Sequence, residues 1–397
     1  MIVAVLKESF PGEQRVALVP AALPSLTKAG LEVRVESGAG DAAGYPDDQY
    51  AAKGAQVIQN RSDLFAADVL LSVRTAGANP EAGQADLTQL RPGQTVVGMA
   101  DPLGTPEAVR EMAERGVALF ALELMPRITR AQSMDVLSAM ATVAGYRAVL
   151  LGALALPKMC PMLMTAAGTL SPAKVFIVGA GVAGLQAIAT ARRLGAVVSA
   201  YDVRAAVKEQ VQSLGAKFVE FELEAGDAED QGGYARQMDE EFYRKQREMM
   251  ARILAETDLV VTTAAVPGKK APILVTKEMV AGMPVGSVIV DLAAERGGNC
   301  ELTQPGKTVT EGNVTILGPT NLPSEVPYHA SQMYAKNITT FLLHLAPGGQ
   351  LKIDLDDEIT RDTLVVRDGN VVHPRVCELL GIEPPASAGT TSEENPT

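Results

Sequence analysis

The chain has 397 residues, of which 47% are hydrophobic and 21% charged, and its formal net charge at pH 7 is −12. This length exceeds a single ordinary core and predicts two folded domains. The acidic balance, with no basic stripe to offset it, argues against a nucleic-acid partner. Three scattered cysteines fit neither a disulfide framework nor a metal site, so we expect no metal. No signal peptide is expected, and the best later apolar run, 148–157, is too short to span a bilayer.

The N-terminal third of the chain alternates short apolar segments with helical ones. The predicted strands are residues 2–5, 31–35, 69–73, 95–100 and 117–121, and the predicted helices are 20–29, 47–53 and 106–115. Alternation of this kind predicts a parallel α/β sheet with helices on both faces.

A dense polar cluster follows the first predicted strand, in KESFPGEQRVAL. The carboxyl end of a strand is where open α/β sheets place ligands, which favours a functional interpretation. The alternative is a solvated turn with surface ion pairs, and the chemistry of the residues favours it. The residues concerned are Lys7, Glu8, Gly12, Glu13 and Arg15.

A second polar segment, ELMPRITRAQSMD at 123–135, precedes an apolar helix predicted over 136–156. This segment lies between two predicted domains, where pockets commonly form. It contains several charged and polar residues: Arg127, Arg130, Gln132, Ser133 and Asp135. Equally, Asp135 could cap the helix that it precedes, and the arginines could face solvent. Spacing alone leaves both interpretations open.

The segment 173–202 has the pattern of a βαβ unit with glycines in its first turn. Gly179 permits the tight turn, Gly181 lets the backbone approach a pyrophosphate, and Gly184 lets the helix pack on the strand. Asp202 ends the second strand, where a carboxylate would accept both ribose hydroxyls of NAD and repel the 2′-phosphate of NADP. The combined pattern predicts a Rossmann fold that prefers NAD(H): a strand, a glycine-rich turn, a helix, a second strand and an acid at its end.

The rest of the chain completes the expected organisation. Strands are predicted over 217–221, 259–263, 287–291 and 314–317, and a helix over 333–344 returns the chain to the first domain. The acidic, glycine-containing stretch 222–238 is either a mobile lid over the cofactor or plain disorder. We therefore expect two domains, each a mainly parallel sheet with helices on both faces. The boundaries are 1–135 plus 325–383 for the first domain, 136–324 for the Rossmann domain and 384–397 for a disordered tail.

Several motifs taken together closely resemble the NAD(H)-binding alpha subunit, domain I, of the proton-translocating NAD(P) transhydrogenases. The motifs are RAQSMD, MTAAGT, VGAGVAGLQAIATARRLGA, YDVRAAVKEQV, GGYA and TTAAVPGKKAP. RAQSMD and GGYA are not general features of NAD-binding folds, so the resemblance is specific. The chain is also similar, more distantly, to the alanine dehydrogenases, which share the pattern KExxPGExRV.

The resemblance implies roles for individual positions. Arg127, Gln132 and Asp135 would hold the nicotinamide carboxamide and ribose, with Ser138 beside them and Ser133 and Met134 in the same loop. The pyrophosphate turn would be Gly179, Gly181, Val182 and Gly184, the adenosine-ribose contacts Asp202, Val203 and Arg204, and the lid and pocket wall Gly233, Tyr234, Gln246 and Ala265. Arg15 matches a substrate-binding arginine of the dehydrogenase relatives.

The activity that the resemblance implies is direct hydride transfer between NADH and NADP⁺. An NADP(H)-binding beta subunit would hold the NADP⁺, and a membrane-embedded subunit would couple the reaction to proton movement. No hydrophobic segment follows the tail, so we expect these partners to be encoded separately. The resemblance also implies a homodimer in the cytoplasm, peripheral to the inner membrane through its partners.

Two other functions remain open at this point. An alanine or amino-acid dehydrogenase needs a general acid/base near the reacting carbon, and a lysine and a histidine serve in that family. The matching segments here, LLSVRTAG and VVGMADPLG, contain neither, which favours the transhydrogenase. A non-catalytic NAD-sensing subunit would share the fold and Asp202, and the sequence does not separate it from an enzyme.

Overall fold

The computed structural model describes residues 1–220, 240–265 and 268–385. The chain forms two compact units, one from residues 1–140 together with those from 324 onward, and one from residues 141–323. The predicted lid at 222–238, with Gly233 and Tyr234, and the predicted tail from residue 386 onward lie outside the described residues.

The first unit is built on an eight-stranded sheet. The strands are β1 Ile2–Val5, β2 Glu32–Glu36, β3 Gln56–Ile58, β4 Val69–Arg74, β5 Thr95–Met99, β6 Ala118–Ala121, β16 Leu364–Arg367 and β17 Asn370–Val371. Their order in the sheet is β17-β16-β6-β5-β4-β1-β2-β3. Strands β1 to β6 are parallel, whereas β16 is antiparallel to β6 and β17 is antiparallel to β16. The helices are α1 Leu23–Lys28, α2 Asp47–Ala51, α3 Arg61–Leu64, α4 Gln84–Leu87, α5 Pro106–Glu114, α11 Pro327–Leu345, α12 Glu358–Thr363 and α13 Pro374–Leu380.

The second unit is built on a seven-stranded sheet. The strands are β9 Lys174–Val178, β10 Val197–Tyr201, β11 Lys217–Phe218, β12 Leu259–Thr262, β13 Val288–Asp291, β14 Thr308–Glu311 and β15 Val314–Leu317, and a separate hairpin pairs β7 Leu163–Thr165 with β8 Gly168–Leu170. The order in the sheet is β11-β10-β9-β12-β13-β15-β14. All neighbouring pairs are parallel except β14 and β15, which form an antiparallel edge. The helices are α7 Val182–Arg193, α8 Lys208–Ser213, α9 Glu240–Leu254 and α10 Lys277–Ala281.

The sequence-based fold class is confirmed, because both sheets are mainly parallel and flanked by helices. The apolar run of strand β9 is explained by burial on both faces of the sheet. Val175 and Ile177 belong to the core on one face. Phe176 and Val178 belong to the core on the other face. A parallel sheet covered on both faces requires apolar residues at every position, not only at alternate ones. The sequence did not predict hairpin β7–β8, whose three-residue strands are too short to show a pattern.

Helix α6, Val136–Ala155, begins in the first unit and ends in the second. The helix has 20 residues, its most apolar 18-residue stretch has a mean hydropathy of 1.5, and 39% of that stretch is buried, so by length and composition alone it could cross a membrane. The prediction that the best apolar run, 148–157, is too short to span a bilayer was therefore wrong as to length. A Cβ on Gly145 would lie 2.1 Å from the Ala183 carbonyl oxygen, and one on Gly152 would lie 2.4 Å from Leu259 Cδ1. One face of α6 thus packs closely into the second unit.

Candidate functional site

The glycine-rich turn between β9 and α7 has the geometry that a dinucleotide needs. Gly179 has φ +96°, and a Cβ there would lie 2.5 Å from Thr263 Oγ1. A Cβ on Gly184 would lie 1.8 Å from the Gly179 carbonyl oxygen, so only glycine allows α7 to approach the strand this closely. A Cβ on Gly181 would meet nothing within 4 Å. Gly181 therefore faces open space, as a pyrophosphate approaching the backbone requires.

This turn lies at the topological switch point of the second sheet. Strand β9 is flanked by β10 on one side and by β12 on the other, and the chain builds outward first from β10 and later from β12. Open α/β sheets bind ligands in the crevice outside the carboxyl ends of the strands at such a point. Val182, the first residue of α7, is 43% exposed beside this turn.

Asp202 follows β10 and connects it to the glycine-rich turn. Its Oδ2 accepts the main-chain N–H of Ala180 at 2.7 Å. The same carboxylate also accepts the Arg204 main-chain N–H at 2.9 Å, its Nε at 3.0 Å and its Nη2 at 2.9 Å. The side chains of Arg204 and Asp202 are 15% and 7% exposed. The predicted ribose-binding acid is thus a nearly buried member of an ion pair.

The remaining predicted adenosine-side residues support the end of β10. Gln246 on α9 is buried, and its Nε2 donates a hydrogen bond to the Tyr201 hydroxyl at 2.9 Å. Val203 packs against the core of the second unit. Ala265 is exposed and is the last described residue before the gap at 266–267.

The sequence analysis missed a buried acid that organises the chain after β12. Asp291 ends β13 with no exposed surface, and its carboxylate accepts five hydrogen bonds. The donors are the hydroxyls of Thr262 and Thr303 and the main-chain N–H groups of Ala293, Asn299 and Cys300. Asn299 in turn forms two hydrogen bonds with Ala264. Its Oδ1 accepts the Ala264 N–H at 2.9 Å, and its Nδ2 donates to the Ala264 carbonyl at 2.8 Å. The sequence does contain a pattern that could have indicated Asp291. The apolar run VIVD ends in an acid, as the apolar run of β10 is followed by Asp202.

In the first unit, the RAQSMD segment forms a 3-10 helix over Thr129–Met134 that leads into α6. Asp135 accepts the main-chain N–H of Ser138 at 2.9 Å and its hydroxyl at 2.5 Å, so Asp135 does cap the helix. Arg127 and Gln132 are exposed, whereas Met134 is buried.

The C-terminal part of the chain holds this segment in place. Asn337 on α11 donates from Nδ2 to the Ser133 carbonyl at 2.9 Å. Arg130 lies 3.0 Å from the Asp357 carboxylate, which also lies 2.8 Å from His344 Nε2. Burial raises the pKa of Asp357, but its hydrogen bonds outweigh this effect and hold the pKa well below the usual range. Two anchors therefore fix the backbone that carries Gln132.

Only part of the KESFPGEQRVAL cluster is the solvated turn that its chemistry favoured. The Glu13 carboxylate accepts Nε and Nη2 of Arg15, both at 2.7 Å, and these side chains are 0% and 2% exposed. Arg74 lies 3.3 Å from the same carboxylate. The side chains of Glu13 and Arg15 are buried against the end of β4, where Glu8 accepts the Val73 N–H at 2.6 Å, whereas Lys7 and Gly12 are exposed. Burial raises the pKa of Glu8 to about 8.

A small cavity lies beside this cluster. Its volume is about 20 Å³, and Glu8, Ser9, Arg61, Arg74 and Thr75 are among its lining residues. A cavity of this size has room for about one water molecule. Among the described residues, no group of three or more His, Cys, Asp or Glu side chains could hold a metal ion.

The fold and the turn define a pyridine-nucleotide-binding α/β protein. Residues 4–144 match the family model for the N-terminal domain of alanine dehydrogenase/PNT, and residues 148–374 match the model for its C-terminal domain. The chain is 48% identical over 378 residues to an NAD(P) transhydrogenase alpha subunit of Rhodospirillum rubrum, covering 94% of this chain and 98% of that protein. The chain belongs to the alanine dehydrogenase/PNT family and, within it, to the NAD(P) transhydrogenase alpha subunits, which are oxidoreductases.

Solved structures agree with this assignment. A transhydrogenase structure from Sinorhizobium meliloti superposes with a TM-score of 0.84 at 46% identity, covering 94% of this chain and 100% of that one. An L-alanine dehydrogenase superposes with a TM-score of 0.80 at 27% identity, covering 96% and 99%. The resemblance inferred from the motifs is confirmed, with the alanine dehydrogenases as more distant relatives.

Proposed function

We propose that this chain is the NAD(H)-binding subunit of a proton-translocating transhydrogenase and passes hydride directly between NADH and NADP⁺ held by a partner. The observation that carries the proposal is the pairing of Asp202 with an open Gly181 turn at the switch point of the second sheet. The turn would bind the pyrophosphate through main-chain N–H groups, and Asp202 would accept the adenosine ribose hydroxyls. The nicotinamide supplies the redox chemistry when bound.

In this proposal Arg127, Gln132 and Asp135 orient the nicotinamide rather than donate or remove protons. Direct transfer between two nicotinamides needs contact between the rings and no protein acid or base. The anchoring of this segment by Asn337 and by the cap at Ser138 supports an orienting role, because orientation requires a fixed backbone. Ser138 would act through Asp135.

The dehydrogenase alternative is less well supported. Arg15, which matches a substrate-binding arginine of those relatives, donates two hydrogen bonds to Glu13 inside the first unit. An incoming carboxylate would have to replace a buried partner that is already bidentate, which is costly.

The partners follow from the family. Relatives are named as alpha subunits, and we propose that this chain assembles with an NADP(H)-binding beta subunit and with a membrane-embedded proton channel. The chain would then be cytoplasmic and peripheral to the inner membrane. Acid/base chemistry for proton movement would reside in the membrane partner.

We further propose that the chain forms a homodimer. Between residues 146 and 170 the second unit exposes large apolar side chains at high fractions, including Leu154 at 85% and Met164 at 79%. The others in this stretch are Tyr146, Met159, Met162 and Leu170. Exposed apolar residues concentrated in this way are typical of a surface that another protein covers. Light scattering on the purified chain would test this, with a monomeric mass contradicting it.

A reconstitution experiment tests the function. The purified chain is mixed with the NADP(H)-binding partner, NADH and an oxidised NADP analogue, and the reduced analogue is followed by absorbance. We expect transfer only when both proteins are present. Full-rate transfer without the partner, or oxidation of NADH by pyruvate and ammonium in its place, would overturn the proposal.

A further inference from the structure

The carboxylate of Asp202 already accepts four hydrogen bonds in this structure. An ionised carboxylate offers about four acceptor positions. Ala180 and the main chain and side chain of Arg204 fill four of them, at 2.7 to 3.0 Å. Two further ribose hydroxyls would raise the number to six, more than the five that even the buried Asp291 carboxylate accepts. Since both main-chain donors belong to the fixed turn and loop, the guanidinium of Arg204 is the donor that can leave.

We propose that Arg204 is a specificity-determining residue: its guanidinium leaves Asp202 when a dinucleotide binds, and its charge then limits the preference for NADH over NADPH. This inference rests on the proposed NAD(H) site. A 2′-phosphate beside Asp202 alone would meet only a negative charge. With Arg204 two positions along the chain, the same phosphate also meets a cation suited to bidentate contact. Arg204 therefore partly offsets the repulsion by Asp202.

The two residues should act in opposite directions on the two nucleotides. Removal of Arg204 leaves Asp202 uncompensated, so NADPH binding should weaken by about tenfold or more, the size of one lost charge-assisted hydrogen bond. NADH carries no 2′-phosphate and no longer has to displace the guanidinium from Asp202, so its affinity should not fall. Removal of Asp202 leaves Arg204 available to the phosphate, so NADPH binding should improve by about tenfold.

The test is a fluorescence titration of each protein with NADH and with NADPH at one ionic strength. The variants are Arg204→Ala, Asp202→Ala and the double variant, with Arg204→Lys as the charge-conserving control. The ratio of the two dissociation constants is measured on the same preparation, so an inactive fraction cancels. We expect the ratio of the NADPH dissociation constant to the NADH dissociation constant to rise in Arg204→Ala and to fall in Asp202→Ala. It should rise less in Arg204→Lys, which keeps the charge but not the bidentate contact.

The double variant shows whether the gain in NADPH affinity comes from Arg204. We expect it to lose the improvement that Asp202→Ala alone produces. Because Arg204→Ala leaves a nearly buried carboxylate without its partner and can impair folding, Arg204→Gln serves as a second neutral variant. An equal change in both affinities, or stronger NADPH binding without Arg204, would overturn the inference and leave the proposed function standing. A wild-type chain that binds neither nucleotide would overturn both.

Discussion

Asp135 accepts two hydrogen bonds from Ser138, one from its main-chain N–H at 2.9 Å and one from its hydroxyl at 2.5 Å. The residue that we propose to orient the nicotinamide is therefore also the residue that begins α6. These bonds use half of the acceptor capacity of a carboxylate, so both roles are compatible. Substitutions can separate the two roles, because asparagine caps helices nearly as well as aspartate.

Asp135→Asn should keep the melting temperature close to wild type and still slow hydride transfer, since the amide lacks the charge that the ligand contact uses. Asp135→Ala should slow transfer and also cost roughly 1 kcal/mol of stability through the lost cap. Thermal melting and single-turnover kinetics on the same samples measure both effects. A wild-type transfer rate in Asp135→Asn would mean that Asp135 is only a cap.

Gln132→Asn should slow single-turnover transfer by on the order of a hundredfold while changing NADH affinity little. The shortened side chain would displace the nicotinamide by about 1 Å, which is enough for such a loss. Most of the binding energy is expected to come from the adenosine and pyrophosphate contacts in the second unit. The transfer rate with the NADP(H)-binding partner is compared with the NADH affinity from a titration. A loss of NADH affinity without a loss of transfer rate would mean that Gln132 binds the nucleotide but does not orient it.

Asn337→Ala should also slow transfer at nearly unchanged NADH affinity, because it removes the anchor at the Ser133 carbonyl rather than a ligand contact. Lys336→Ala is the matched control, since Lys336 is the adjacent residue on α11 and is exposed. Asn337→Gln, which keeps the amide but moves it, should recover part of the rate. Equal hydride-transfer rates in Asn337→Ala and Lys336→Ala would show that Asn337 does not position the nicotinamide-binding segment.

Glu123 should make the first unit less stable as the pH rises from about 5 to about 7. Its Oε1 accepts the Asp101 N–H at 2.7 Å, and among the described residues its buried Oε2 has no hydrogen-bond partner. Burial raises the pKa of Glu123 from 4.5 to about 7, so in this window the folded state holds a proton that the unfolded chain has released.

Glu123→Gln keeps the bond to Asp101 and cannot ionise, so roughly 2 to 3 kcal/mol of this pH dependence should disappear. Melting temperatures at pH 5 and pH 8 measure the change. The exposed residue Glu114 provides the control Glu114→Gln, which should behave like wild type. Parallel pH profiles for wild type and Glu123→Gln would show that Glu123 is ionised throughout.

The sequence predicted the strands and the glycine-rich turn because their causes are local. The apolar run at Val175–Val178 fits a strand covered on both faces, and Gly179 and Gly184 occupy positions where a Cβ would collide with Thr263 or the backbone. The buried pair of Glu13 and Arg15 was not predicted, because its burial depends on distant parts of the chain.

Long-range partners also explain the features that were missed. The Gln14 N–H donates to Ser324 Oγ, 310 positions away, and this contact helps to close the turn over the first sheet. The role of Asn337 depends on Ser133, 204 positions away. The contact between Asp202 and Arg204 is local in sequence, but only the structure shows that Arg204 and Ala180 together donate four hydrogen bonds to the carboxylate.

The measurement that tests the central claim most directly is the fate of a deuterium label on C4 of NADH. The labelled NADH, this chain, the NADP(H)-binding partner and NADP⁺ are combined, and the NADPH formed is analysed by mass spectrometry. When both C4 hydrogens are deuterium, direct transfer predicts that every NADPH formed carries one deuterium, because no protein group or solvent proton takes part. Loss of the label to solvent, or no transfer at all in the presence of the partner, would contradict the account.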